Sequence, residues 1–213
     1  MPPTLVNVAV GVLIGVALLG AAFDRRSVLI VAFAAAAPDL DTVFAFVEIG
    51  APNATLHSVF IPIGAAAVLY YDTQIREESW VRERYGWYGI RVAWVAIAAY
   101  AVAGIGFDAF SAESVAFFYP LSDRYFAVVG RFVLSTQDGV VQTYLTVGEG
   151  RLGLASPGTT ETHTVETWAK PADGERRIRI VNSGYQAILV VTALAAIPAK
   201  YLVERVDRRE GGE

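Results

Sequence analysis

Ala34 to Asp41 reads AAAAPDLD, a proline and two carboxylates set into an apolar run that otherwise has the makings of a membrane-crossing helix. Placing an ionisable side chain in hydrocarbon costs roughly 2.5–3.5 kcal/mol on insertion scales, so two together imply a shared partner. Asp39 and Asp41 are therefore the centre of a candidate site. Pro38 removes an interior helix hydrogen bond and restricts the residue before it, which predicts a break at this point. If Pro38 opens a second half-helix, Asp39 lies in its first turn, where free amides and the helix dipole favour a carboxylate. Residues two apart on a regular helix point to nearly opposite sides. Both carboxylates can then hold one ion only if the backbone is irregular; otherwise one binds and the other orients a neighbour.

The surrounding chain sets the solvent. With 54 % hydrophobic and 18 % charged residues over 213 positions and a mean hydropathy of +0.44, it is too apolar for an ordinary soluble domain and reads as an integral membrane protein. The absence of cysteine excludes disulfides, thiolate zinc sites and a cysteine nucleophile. The 17 basic residues include only two lysines, Lys170 and Lys200, and the net charge is −4, a lysine-poor balance that resembles a halophile's composition. No basic patch or aromatic RNA-binding signature is present, so no nucleic-acid partner is expected.

About five runs approach the roughly 20 residues needed to cross a bilayer: Thr4 to Phe23, Val28 to Val47, Thr55 to Tyr71, Tyr88 to Asp108, and Val181 to Leu202. Arg25 and Arg26 follow the first of these and no basic residue precedes it, the reverse of a secretory signal. Short cytoplasmic loops carry the excess of Lys and Arg. Arg25 and Arg26, then Arg76, Arg82 and Arg84, then Lys200, Arg205, Arg208 and Arg209 all fall on one side, whereas Met1 to Pro3 and Glu48 to Ala54 contain no cation. The N-terminus is accordingly expected outside, the C-terminus cytoplasmic, and the stretch from Ala109 to about Arg179 outside. Arg76 to Arg91, mixed with Glu77, Glu78 and Glu83, reads as a solvated cytoplasmic loop.

The domain plan that follows has helices with the candidate site over 1–108, an extracellular β-rich insertion over 109–179, and a final span with a cytoplasmic tail over 180–213. In the insertion, Arg124 to Ser135 and Val140 to Val147 are rich in β-branched and aromatic residues and flank TQDG, a hairpin signal. Gly148 to Gly174 reads as loop, with one more strand expected around His163 to Trp168 and His163 itself on the surface. No internal repeat supports an inverted-repeat transporter, and the inner halves of spans three and five offer no ionisable pathway.

With this topology Asn7, Asp39, Asp41, His57 and Asp108 fall near the outer ends of their helices. Carboxylates with one imidazole form a hard donor set suited to Zn, Mn or Mg with positions left for water. Such an ion lowers the pKa of bound water and polarises a phosphoryl or carbonyl oxygen. Each residue also has a structural reading: Asp39 and Asp41 as caps at a proline break, His57 and Ser58 as a helix start, Asp108 as a cap where span four meets the insertion. Asn53-Ala54-Thr55 is a glycosylation sequon, but one expected to lie too close to the membrane for use.

PDLD at Pro38 to Asp41, LHS at Leu56 to Ser58, and Asp108 with Pro120 twelve residues on resemble the YdjM-like membrane-bound metal-dependent hydrolases over roughly residues 1 to 125. The rest is more loosely similar, in what looks like a haloarchaeal branch. The resemblance implies a divalent metal held through His and Asp. Asp39, Asp41, His57 and Asp108 match the pattern. Asn7, Thr42, Gly104 and the pair Pro52 and Asn53 stand where the family carries histidines or His-Arg. The combined expectation is a multi-pass all-α membrane bundle with an outward-facing hydrolase site. Asp39, Asp41, His57 and Asp108 hold the metal, Asn7 is a weak ligand, Asp39 and Asp41 are catalytic, and a phosphoester or lipid headgroup is the substrate. The rival is a non-catalytic membrane protein in which the same groups form a structural polar network.

Overall fold

The computed structural model describes residues 3–46, 51–110, 114–130, 132–137, 139–143, 145–148, 151–154, 156–163, 165 and 180–210. The fold is mostly helical with two small antiparallel β-pairs, and its contacts divide the chain into two compact units.

One unit comprises residues 3–37, 62–104 and 179–213. It contains α1 (Thr4–Leu18) and α2 (Arg25–Ala36). These pack so closely that a Cβ on Gly11 would stand 2.4 Å from the Ala35 Cβ, and Gly20 turns the chain between them at φ +57°. Asp24 caps α2: its side chain accepts the Ser27 N–H at 2.7 Å while the Ser27 hydroxyl oxygen accepts the Asp24 N–H at 2.9 Å. Tyr88 donates to both Asp24 oxygens at 3.2 Å, and Arg91 Nε donates to the Leu18 carbonyl, an orphan of the α1 C-terminus, at 2.7 Å.

α4 (Phe60–Tyr70) runs on into a wider π-type turn at Tyr71–Ile75, and α5 begins at Trp80 and extends to Ala99 with a kink at Gly86, whose φ of +64° and ψ of −161° are not helical. The expected loop over Arg76 to Arg91 is therefore only a short connection, with Arg82, Glu83 and Arg84 already helical. The reason is capping. Ser79 Oγ accepts the Arg82 N–H at 3.1 Å, and Asp72 accepts the Ser79 hydroxyl at 2.7 Å and the N–H groups of Trp80 and Val81 at 3.1 Å each. Arg76 completes the set at 2.9 Å. These bonds, first of all the one from Ser79, hold the Asp72 carboxyl below its ordinary value.

Among the described residues, two helices are long and apolar enough to cross a membrane: Trp80–Ala109, and Gly184–Val203 within α7 (Gly184–Glu210). α1 is a shorter apolar helix of 15 residues. The second expected run is broken where Pro38 predicts it. α2 ends at Ala36, a 3₁₀ turn covers Ala37–Leu40, and α3 spans Asp41–Phe46.

The other unit takes in residues 38–61 and 105–178. It includes α3, α6 (Phe107–Ala109) and the strands found among the described residues: β1 (Phe132–Ser135) pairs with β2 (Gly139–Gln142), and β3 (Leu145–Gly148) with β4 (Arg151–Leu154). The hairpin forms beside TQDG, with Ser135 opposite Gly139 at φ +72°. The run from Val140 to Val147 is not one strand but two, and Arg151–Leu154 is a strand where loop was expected. His163 and Val165 are not in a strand; most of the strand expected as far as Trp168 lies outside the described residues. The core of this unit is Ala54, Ala116, Tyr125 and Val165, flanked by Ala51 and Tyr119.

Candidate metal centre

Asp39 sits in the 3₁₀ turn and Asp41 opens the helix that follows. A 3₁₀ turn advances about 120° per residue against about 100° in an α-helix, so residues two apart diverge by roughly 120° instead of 160°. That irregularity turns both carboxylates towards the same imidazole. Asp108 is reached at the end of a long helix whose last turns, Tyr100–Gly106, are π-type, and the wider turn shifts the phase at which Phe107–Ala109 presents its side chains. His57 comes from the turn that precedes α4. Ser58 Oγ accepts the Phe60 N–H at 3.3 Å and so starts the helix, leaving His57 to turn inward.

The imidazole is wholly buried, as is Asp108; Asp41 is 1 % exposed and Asp39 8 %. His57 Nε2 lies 2.7 Å from Asp108 Oδ2 and 3.9 Å from Asp39 Oδ1, and Nδ1 lies 2.9 Å from Asp41 Oδ2. Asp39, His57 and Asp108 each offer a donor atom within 4.8 Å of the others, a group able to hold a metal ion. Asp41 stands on the opposite nitrogen. Its Oδ1 accepts the Leu56 N–H at 2.7 Å and its Oδ2 also accepts the Ala54 N–H at 3.1 Å, so both oxygens are occupied in fixing the loop and the ring. Asn7, the fifth expected ligand, is buried in α1 of the other unit.

The donor set fits a divalent cation. Two carboxylate oxygens and one imidazole nitrogen leave coordination positions open. The four side chains set three carboxyl groups against one imidazole, and burial makes charge on such an acidic set expensive unless a dication offsets it. A carboxylate bound to the remote nitrogen of a metal-ligating histidine fixes its tautomer and orientation, and Asp41, 2.9 Å from Nδ1, stands where it would do so for His57.

The loop that carries His57 is held from across the same unit. Asn53, at φ +53°, donates Nδ2 to the Ser114 carbonyl at 3.1 Å, and its own carbonyl accepts the Ala116 N–H at 2.9 Å. The sequon asparagine is thus fully buried and engaged. Val59 N–H donates to the Phe117 carbonyl at 2.9 Å, and the Tyr125 hydroxyl to the Pro52 carbonyl at 2.6 Å. Burial, and after it the charge of Asp41, pushes the Tyr125 phenol above its usual range, which keeps it a donor. His163, expected on the surface, is half-buried with its ring against Tyr125 at 5.2 Å. Sequence reasoning missed Tyr125, and also the amides of Ala54 and Leu56, which no side chain announces. Asp72, collecting its four donors in the other unit, was missed as well, though the Ser79 that follows it has the look of a helix cap.

Comparison with protein families matches residues 3–160 to the YdjM inner membrane protein family. The chain belongs to that family. No curated protein and no solved structure matches it. As a YdjM family member it is a membrane protein with a bilayer environment, in keeping with its two long apolar helices.

Proposed function

We propose that this YdjM family protein is a metal-dependent hydrolase in which Asp39, His57 and Asp108 hold a divalent ion, Zn, Mn or Mg. The single observation that carries the reading is the convergence of three buried donor atoms, from a 3₁₀ turn, a loop and a helix end, within 4.8 Å of one another. The ion, when bound, supplies an acidified water and polarises a phosphoryl or carbonyl oxygen. Asp41, 2.9 Å from Nδ1 of His57, would hold a proton on that nitrogen and so leave Nε2 as the donor to the ion. Asp39 is the most exposed of the four, and were it to ligate through one oxygen only, its second oxygen would be left to take a proton from a water at the site. Asn7 has no part in this reading.

The proposal includes a multi-pass chain of about five spans, with the N-terminus and the stretch 109–179 outside and the C-terminus cytoplasmic, on the distribution of arginines. The site then faces the outer leaflet, which points to a phosphoester or lipid headgroup as substrate. Hydrolysis of a fluorogenic phosphodiester and of phospholipid in mixed micelles tests it. Turnover that needs added Mn or Zn and disappears in Asp108→Asn supports the enzyme. No turnover of either substrate with any of the three metals would remove it.

One observation favours a second reading, in which the cluster is a structural network without catalysis. The imidazole has a carboxylate within hydrogen-bond distance at each nitrogen, 2.9 Å and 2.7 Å, so the group closes on itself. In that case Asp39→Ala lowers thermal stability and changes nothing else.

A further inference from the structure

We infer that Tyr125 is a positioning residue for the candidate metal centre, acting through the loop Pro52 to Ser58. This loop supplies His57 and both amides that fix Asp41, yet no helix or strand sets its conformation. Beside its two bonds to Asp41, what sets it are cross-links to the segment 114–126: Asn53 to Ser114, Ala116 to Asn53, Val59 to Phe117, and Tyr125 to Pro52. The phenol bond is the shortest of the four at 2.6 Å, and its side chain is 1 % exposed. The carbonyl it holds is that of Pro52, two residues before Ala54, whose N–H meets Asp41 Oδ2, the same oxygen that meets His57 Nδ1. A shift of the loop at Pro52 therefore reaches Ala54, Asp41 and the imidazole in succession. Constellations of this kind tolerate displacements of only about 0.5 Å before function falls. The His163 ring packs edge-on against the Tyr125 ring at 5.2 Å and helps to hold it in place.

Tyr125 could instead be mere filling of the Ala54, Ala116 and Val165 core. Tyr125→Phe separates the two readings, because it keeps the ring and removes only the hydroxyl. Val165→Ala is the companion variant, which loosens the same core and leaves the hydroxyl in place. The chain has only two histidines, His57 and His163, so nitrogen-15 labelling of histidine gives a spectrum of two imidazoles on the full-length protein in detergent. The expected result is a strongly hydrogen-bonded, slowly exchanging Nδ1–H for His57 in wild type and in Val165→Ala. In Tyr125→Phe it shifts upfield and exchanges about fivefold faster, the effect of losing one net hydrogen bond. An unchanged His57 signal in Tyr125→Phe, or an equal change in Val165→Ala, overturns the positioning role.

The consequence for metal rests on the reading under Proposed function and has its own readout. Cobalt(II), titrated by visible absorption, should bind Tyr125→Phe several-fold more weakly than wild type, short of the 10–100-fold of a direct second-sphere loss. Wild type that takes up no cobalt removes the metal reading, while the nitrogen-15 spectrum still decides the role of Tyr125.

Discussion

Replacing Asp41 by Asn keeps the shape of the side chain and turns one acceptor oxygen into a donor. The shortest bond, from Leu56 N–H at 2.7 Å, survives on the amide oxygen; the two bonds on Oδ2, from Ala54 N–H at 3.1 Å and His57 Nδ1 at 2.9 Å, do not. A buried donor left facing a donor costs about 1–3 kcal/mol, so the pair amounts to roughly 2–6 kcal/mol. For a chain of this length that is a fall in Tm of roughly 4–24 °C, read by thermal unfolding in detergent. Asp39→Asn differs in kind: it removes one of three acidic charges gathered round a single imidazole, relieving like-charge repulsion, and should leave Tm unchanged or raise it. Metal affinity should fall in both, by about 10–100-fold for Asp41→Asn as the carboxylate behind the histidine and more for Asp39→Asn as a ligand. Equal losses of Tm in the two variants would refute the division of labour between ligand and orienting carboxylate.

Three further outcomes are expected. Gly11→Ala places a Cβ 2.4 Å from the rigid Cβ of Ala35, so α1 and α2 must part, at about 1–3 kcal/mol; an unchanged Tm would contradict that packing. The Asp72 carboxyl is held below its ordinary value of 3.8, so its capping contribution is full above that pH and is lost as pH falls through the lower native value. Asp72→Asn should therefore flatten the acid side of the Tm profile, and a slope equal to that of wild type would argue against the cap. The thiol-free chain allows single-cysteine labelling. Cysteines at the exposed Leu121 and Ser156 should label from outside, and one at exposed Glu78 only after permeabilisation; the opposite pattern reverses the topology.

The break at Pro38 and the four residues Asp39, Asp41, His57 and Asp108 were legible, because a proline and charged groups in an apolar run carry their own cost. The hairpin beside TQDG was legible for a similar reason: Gly139 takes the positive φ that the turn needs. The division of roles between Asp39 and Asp41 was not, since it is decided by the amides of Ala54 and Leu56, and a backbone N–H leaves no mark on composition. Tyr125 was hidden within an aromatic run that reads as one strand from Arg124 to Ser135; among its described residues Phe132–Ser135 forms a strand, while Arg124 and Phe126 make isolated bridges to Thr159 and Val115. The early start of α5 was obscured because Arg82, Glu83 and Arg84 look like a solvated loop, whereas the capping by Ser79 and Asp72 makes them the first turns of a helix. The expected insertion begins at Ala109, yet the compact unit containing it also draws in Pro38 to Ile61, because the His57 loop bonds to 114–126.

Metal content per chain, measured by elemental analysis on the purified protein after dialysis against Zn, Mn or Mg and then against metal-free buffer, bears most directly on the Asp39, His57 and Asp108 centre. About one divalent ion per wild-type chain, absent from Asp39→Ala, is the result this account predicts; a metal-free wild type, or an ion retained in full by Asp39→Ala, would contradict it.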